Sequence, residues 1–315
     1  MQEHRVALST PRRLADYLPA VYPLLTSGMV YRFAKEKKIR CNGVHCKGTQ
    51  KVANGDLLAL YLPDELLGAA DGPLFLRARS ELAVVYEDDQ LLVADKPAGL
   101  PVLSEENLPD TLINRALRYL YQKGEYAPSA GFTPCLCHRL DTGTSGLVLI
   151  AKTPLCRDAM REAIEQHRLK KTYLCVTFGW PTPPQGTLRG YLIKDARRGV
   201  VRVIDRPQPG ARQIVTGYRT LAKSGRLALL EVDLVTGRTH QIRAHLASIG
   251  CPLVGDSKYG NQAANRALRA KYQLLCAWRL RLPQFEADAL RPLSGLCLTA
   301  PRPWFYSQIL DHRLK

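Results

Sequence analysis

His138-Arg139-Leu140-Asp141-Thr142-Gly143-Thr144-Ser145-Gly146 runs directly into Leu147-Val148-Leu149-Ile150-Ala151. A short polar turn feeding an apolar run of this length reads as a loop entering a buried strand. Asp141 then stands at the mouth of that strand, where a scaffold holds functional groups rigidly. An isolated Asp in such a turn is ordinarily a cap bonded to its own backbone. Two later segments turn the reading toward chemistry.

The first is Lys170-Lys171-Thr172-Tyr173, an aromatic ring opening a strand beside two cations. The second is Thr236-Gly237-Arg238-Thr239-His240-Gln241-Ile242-Arg243-Ala244-His245. There a Gly turn leads into a helix expected from Thr239 to Ser248, with Thr239 and Arg243 on one face at four-residue spacing. A carboxylate can act as nucleophile, general base or cap. A guanidinium beside it pairs with it and keeps it ionised. A tyrosine ring offers a flat face to a nucleobase, worth about 1–3 kcal/mol when stacked. Taken singly, Tyr173 reads as a half-buried strand residue and Arg243 as a solvated helix residue. His240 and His245 lack the four-residue spacing of paired helical zinc ligands and read as structural.

Charge points to the partner. The 315 residues carry a formal net charge of +17. Residues 1–63 hold ten Lys/Arg against four Asp/Glu, residues 64–110 three against eleven, and residues 111–315 thirty-two against thirteen. Two basic blocks flanking an acidic bridge suggest a polyanion such as nucleic acid rather than evenly spread surface charge. With 46% hydrophobic and 23% charged residues the chain can bury a substantial core, which excludes a mostly disordered protein. The nine scattered cysteines form no Cys-x-x-Cys, and Cys135-Leu136-Cys137-His138 has no second ligand pair. Reduced thiols and no metal are expected. The N-terminus shows no signal-peptide core and no run reaches the roughly 18 apolar residues of a membrane span. A soluble, cytoplasmic protein is expected, with monomer as the default.

The chain divides by pattern into a basic unit over residues 1–63, a linker over 64–80 bearing Gly68, Gly72 and Pro73, and a large domain over 81–315. In the first unit, Pro19 and Pro23 interrupt the apolar spacing of residues 14–25. Ser27 is the expected N-cap of a helix carrying Arg32, Lys35, Lys37 and Lys38 on its polar face. Asn42-Gly43 signals a hairpin after Ile39-Arg40-Cys41. Basic residues beside a small sheet suit phosphate contacts, so Arg32, Lys35, Lys38 and Arg40 are candidate RNA ligands. In the large domain a hairpin is expected around Glu87-Asp88-Asp89. Asp110 should cap a helix over 111–121, and Pro154 should open another reaching about residue 167. Strands are expected at 173–178, 200–204, 214–221, 227–235, 274–282 and 296–299. Strands outnumber helices and short turns join many of them. The fold class is therefore α+β, a mixed and largely antiparallel sheet with flanking helices.

At these motifs the chain resembles a known family. HRLDTGTSGLVLIAK, KTYLCV and VTGRTHQIRAHLASIGCPLVGDSKYG look like successive signatures of the RluA-type pseudouridine synthases, and Asp95-Lys96-Pro97-Ala98-Gly99-Leu100 is similar to that family's first catalytic-domain motif. The matches run from about residue 82 to 300. The segment Lys38-Ile39-Arg40-Cys41-Asn42-Gly43, with Gly55-Asp56 and a looser Arg13-Leu14-Ala15-Asp16 opening, resembles the alpha-L RNA-binding module. The resemblance implies isomerisation of uridine in RNA to pseudouridine, with the base detached at nitrogen, turned and rejoined through carbon. It implies neither metal nor organic cofactor. It matches Asp141 to the essential aspartate, Arg139 to the arginine that helps displace the base, and Tyr173 to the tyrosine packing on the uracil. Arg243 matches the arginine that pairs with the aspartate, and Arg238 is a further candidate for substrate binding.

Some positions depart from the family pattern. Thr142-Gly143 stands where Arg-Asp is common and Asp95 where Asn is frequent, and Pro-Val-Leu-Ser-Glu-Glu follows Leu100 in place of Val-Val-His-Pro. These departures bear on the choice of RNA site. Large-subunit ribosomal RNA is the expected substrate, because the N-terminal module is common in synthases acting there, with transfer RNA as the alternative. A non-catalytic RNA-binding assembly factor would show erosion around Asp141. A glycoside hydrolase would need two carboxylates flanking the bond.

Overall fold

In the computed structural model, which describes residues 1–22, 25–67, 73–103, 108–195 and 199–315, the run after the Asp141 loop forms the strand Ser145–Ala151. Leu147 through Ala151 are fully buried. A strand covered on both faces shows an unbroken apolar run in place of alternation. It lies in an 11-stranded sheet. In spatial order the main path is Val200–Ile204, Gln185–Asp195, Arg212–Ser224, Leu227–Leu234, Lys170–Phe178, Leu275–Arg281, Ser145–Ala151, Leu91–Lys96 and Val84–Glu87. Cys297–Thr299 pairs with Leu275–Arg281, and Cys135–Leu136 with Ser145–Ala151. Among the described residues, only Ser145–Ala151 and Leu275–Arg281 run parallel. The other pairings are antiparallel, as the α+β expectation has it.

This sheet belongs to a compact unit of Ala83–Leu100 and Pro134–Lys315. Cys156 and Met160 of the helix Pro154–Glu165 share one core with Leu91, Val93, Leu147 and Leu149. Phe305 and Ile309 of the helix Trp304–Leu310 share another with Leu174, Val176, Leu227 and Leu229. One long strand, Gln185–Asp195, has no counterpart in the sequence reading. Gly186 and Gly190 break its alternation, and three prolines precede it. Both glycines mark close approaches: an added Cβ would meet the Tyr218 hydroxyl at 2.9 Å or the Ile204 carbonyl at 3.3 Å.

The other unit is Met1–Leu82 with Pro101–Thr133. The expected unbroken domain over 81–315 differs from this, because residues 101–133 group with the N-terminal segment. A four-stranded sheet orders Gln2–Arg5, Leu57–Leu60, Ile39–Cys41 and Val44–His45. Asn42 and Gly43 turn the hairpin at φ 51 and 81, the left-handed values a two-residue turn requires. The helix Ser27–Lys35 is capped by Thr26, whose hydroxyl accepts from the Met29 N–H at 3.2 Å, one residue before the expected Ser27. Lys37 and Lys38 follow the helix, Lys37 at φ 58. The helix Leu14–Val21 accommodates Pro19. Its Leu14 and Leu18 are fully buried with Val30, Ile39, Leu58 and Leu60.

Residues 73–80 are built into this unit rather than spanning it as a linker. Phe75 is buried and packs on the Tyr121 and Tyr126 rings at 5.5 Å. The helix Leu112–Gln122 is capped by Thr111, which accepts from the Asn114 N–H at 3.3 Å. The expected cap, Asp110, instead takes two hydrogen bonds from Arg115, at 2.8 and 2.9 Å. Pro23, Gly68, Gly72 and Ser104–Glu106 of the sequence reading lie outside the described residues. No helix among the described residues is long and apolar enough to cross a membrane.

Candidate active site

Three strands bring the functional segments together. Leu275–Arg281 lies between Ser145–Ala151 and Lys170–Phe178, and Ala277 pairs with Gly146 on one side and Tyr173 on the other. The start of the strand behind Asp141 and the ring-bearing Tyr173 thus share one neighbour. Gly146 sits at φ 107, and a Cβ there would be 2.3 Å from the Ala277 carbonyl, so only glycine fits. The register shifts between Thr172 and Tyr173, leaving Trp278 as the extra residue opposite. A bulge of this kind re-aims the side chains beside it.

The Asp141 loop is clamped from the Asp95–Leu100 segment. Gly99 N–H donates to the Thr142 carbonyl at 2.7 Å. The fully buried Lys96 ammonium donates to the carbonyls of Pro97, Leu100 and Thr142 at 2.9, 2.8 and 3.1 Å. Burial lowers the Lys96 pKa to about 7, against the opposing pull of the Asp141 and Asp95 charges. Gln273 donates to the Thr144 hydroxyl at 3.1 Å and fills the space beside Gly143, where a Cβ would meet its amide oxygen at 2.2 Å. Of the Thr142-Gly143 departure, Gly143 is matched to its surroundings because it yields space to Gln273, whereas Thr142 contributes a backbone carbonyl that any residue would offer.

Asp141 receives a hydrogen bond from Arg243 Nη1 at 2.7 Å. Arg243 is 4% exposed, so it is not the solvated helix residue its local pattern alone suggests but the partner of Asp141 that the resemblance implies. Its Nε and Nη2 donate to the two Asp256 oxygens at 2.7 and 2.8 Å. Burial opposes the Arg243 charge, but the hydrogen bonds and charges of Asp256 and Asp141 outweigh it and raise the guanidinium's pKa. Burial likewise opposes the Asp256 charge, yet Arg243 and the N–H groups of Tyr259 and Lys258 hold its carboxyl below the usual range. Asp256 is completely buried. This is a carboxylate–guanidinium–carboxylate chain whose inner member, Asp256, fixes the arginine that meets Asp141.

Tyr173 is 5% exposed. Burial and then the Asp141 carboxylate raise its pKa, which places the phenol in the field of that carboxylate. Arg139 and Arg238 are exposed. Among the described residues the cation paired with Asp141 is Arg243, 102 positions away, and not the nearby Arg139. Arg238 meets the site's scaffold through its backbone N–H, which donates to the Gln241 side chain at 3.1 Å. The Thr236 hydroxyl donates to the same oxygen at 2.8 Å. This buried amide pins the turn, so the helix begins at Gln241, not Thr239, and Thr239 lies outside it.

The spacing of His240 points to a structural role, yet it stands beside the carboxylate, with Nε2 3.9 Å from Asp141 Oδ1. Its Nδ1 lies 3.0 Å from the Tyr259 hydroxyl, and its backbone is left-handed at φ 55. Burial lowers its pKa, although Asp141 pulls the other way. His245 pairs with the Thr216 hydroxyl at 2.9 Å inside the core, a structural placement. Lys96, His240 and Asp256 all lie within the motifs quoted from the sequence, but local spacing carries no signal for their contacts. His138 accepts from the Leu149 N–H at 3.2 Å, and Cys135 and Cys137 are free thiols. Among the described residues no His, Cys, Asp or Glu cluster could hold a metal ion.

The candidate RNA ligands lie in the other unit. Arg32, Lys35 and Lys38 are exposed, and Arg40 is half-buried. Arg32 and Lys38 both lie over the Phe33 ring, at 4.9 and 5.6 Å, and Arg40 over Tyr61 at 5.5 Å.

Comparison with known proteins shows the family. Residues 90–248 match the family described as RNA pseudouridylate synthase. A ribosomal large subunit pseudouridine synthase C of Rickettsia felis is 34% identical over 270 residues, covering 82% of this chain and 85% of its own. An uncharacterized RNA pseudouridine synthase of Mycoplasma pneumoniae is 31% identical and covers 94% of each chain. The solved structure of human RNA pseudouridylate synthase domain containing 4 aligns with a TM-score of 0.60 at 25% identity, over 74% of this chain and 94% of that one.

Proposed function

The chain belongs to the RNA pseudouridylate synthase family, and we propose that it acts on uridine in large-subunit ribosomal RNA, as a cytoplasmic monomer. Its reaction is the isomerisation of uridine in RNA to pseudouridine. The observation that carries the site assignment is the Asp141 carboxylate, held at 2.7 Å by Arg243 in a chain that ends on Asp256. In this reading Asp141 is the reacting carboxylate. Arg243 orients it, Tyr173 packs against the uracil, and Arg139 and Arg238 engage the displaced base or its backbone. Extruding a base from folded RNA costs a few kcal/mol. Binding energy from phosphate contacts elsewhere offsets it.

Support for ribosomal RNA comes from the Rickettsia felis relative, whose name assigns it to the large ribosomal subunit. The test is carbodiimide mapping of pseudouridine in ribosomal and transfer RNA, with and without the gene. The expected result is loss of one or more sites in large-subunit RNA. Loss confined to transfer RNA would overturn the ribosomal assignment. No loss anywhere would favour a non-catalytic assembly factor.

The alpha-L-like segment is read as an RNA grip through Arg32, Lys35, Lys38 and Arg40. Replacing all four by Gln should weaken RNA binding and flatten its salt dependence. With about 0.7–0.9 counterions released per phosphate contact, the slope of log K against log salt should fall by roughly 3. Filter binding between 50 and 200 mM salt measures it. An unchanged slope would remove these residues from the interface.

A further inference from the structure

Lys171 lies on the strand Lys170–Phe178, two residues before Tyr173, the spacing at which strand side chains share a face. Its ammonium makes no hydrogen bond or ion pair with any described residue. It is nevertheless half-buried. Burial lowers its pKa, and no carboxylate acts to raise it again. Every other buried cation of the site is satisfied: Lys96 by three carbonyls, Arg243 by two carboxylates. A desolvated charge without a counterion is costly, and a protein retains one where a ligand supplies the counter-charge.

The surroundings define that ligand. Lys171 Nζ would lie 3.1 Å from a Cβ placed on Gly237, so the bare glycine keeps this side of the ammonium uncovered. Lys171 also depresses the pKa of His138, after the larger effect of burial, and His138 opens the segment that bears Asp141. Two elements meet at the ammonium, the Tyr173 strand and the turn leading to Arg243. The anions that RNA carries are its backbone phosphates.

We propose that the Lys171 ammonium, beside Gly237, binds one backbone phosphate of the RNA, flanking the uridine that Asp141 engages. This rests on the reading of the site as one that acts on RNA. The phosphate contact positions the nucleotide and carries no sequence information, whichever RNA is bound.

The test uses the full chain and an oligoribonucleotide containing one uridine that the wild type converts. A methylphosphonate, which is neutral, replaces each phosphate in turn. In the wild type, one position next to the uridine should weaken binding about tenfold, as loss of a charged hydrogen bond does. It should also lower the salt slope by about 1. Lys171→Met should show the same tenfold loss and the same slope with the unmodified oligonucleotide, and lose nothing more at that position. Lys171→Arg should restore the slope. Equal sensitivity of Lys171→Met and wild type at every position would overturn the proposal. Should Lys171→Met fail to fold, the wild-type scan decides alone: no flanking position with a reduced slope sinks the idea. Failure of the wild type to convert any uridine would instead refute the functional reading, so the two failures are distinguishable.

Discussion

Asp141→Asn should leave the protein bound to its RNA with the uridine unconverted. The substitution keeps the side chain's size and leaves a carbonyl oxygen for Arg243 Nη1, which now donates at 2.7 Å. What disappears is the anion. An amide can neither attack carbon nor accept a proton at neutral pH, so a reaction routed through this group stops. Loss of a reacting group costs about four orders of magnitude or more in turnover. RNA affinity should stay within a few fold, because phosphate contacts supply most of it. Single-turnover conversion beside filter binding separates the two quantities. A variant that loses affinity as steeply as turnover would make Asp141 a structural anchor.

The second large effect is expected at a residue that never meets substrate. Asp256→Ala removes both acceptors of Arg243 Nε and Nη2 and the acceptor of the Lys258 and Tyr259 N–H groups. It leaves a guanidinium only 4% exposed with Asp141 as its one remaining carboxylate partner among the described residues. Breaking a buried pair in this way costs about 3–5 kcal/mol, a fall in Tm of roughly 6–20 °C. The freed guanidinium should also swing out of register with Asp141. Turnover should then drop at least about a hundredfold while KM changes little, since an orienting group has been lost and not a binding one. Asp256→Asn, which keeps one acceptor, should recover part of both. Unchanged melting and turnover in Asp256→Ala would mean that Arg243 is held by other groups.

Local sequence carried much of this architecture. The polar turn before Leu147 located Asp141 at the entrance to a buried strand, because complete burial leaves a continuous apolar signature. Asn42-Gly43 announced its hairpin for an equally local reason, its left-handed backbone. The failures share a different cause. Thr26 and Thr111 cap their helices in place of Ser27 and Asp110, since neighbouring residues of similar chemistry compete and tertiary partners such as Arg115 decide. Gln185–Asp195 escaped notice because its glycines serve neighbouring strands, not its own periodicity. The pairing of Asp141 with Arg243 spans 102 residues, and only the arginine's motif, not its distance, was legible. His240 and Asp256 lie in quoted motifs, yet their roles arise where separate loops meet.

The order of strands has a further consequence for the life of the chain. Leu275–Arg281 is wedged between the strand behind Asp141 and the strand of Tyr173, and it emerges from the ribosome after both. Until that late segment is threaded into place, the two halves of the proposed active site have no common wall. Synthesis proceeds from the N-terminus, and pairings this distant in sequence form slowly. On the proposed reading, the basic segment is therefore made well before the site that would alter a nucleoside is complete. The fold itself delays assembly of that site until Leu275–Arg281 has been made.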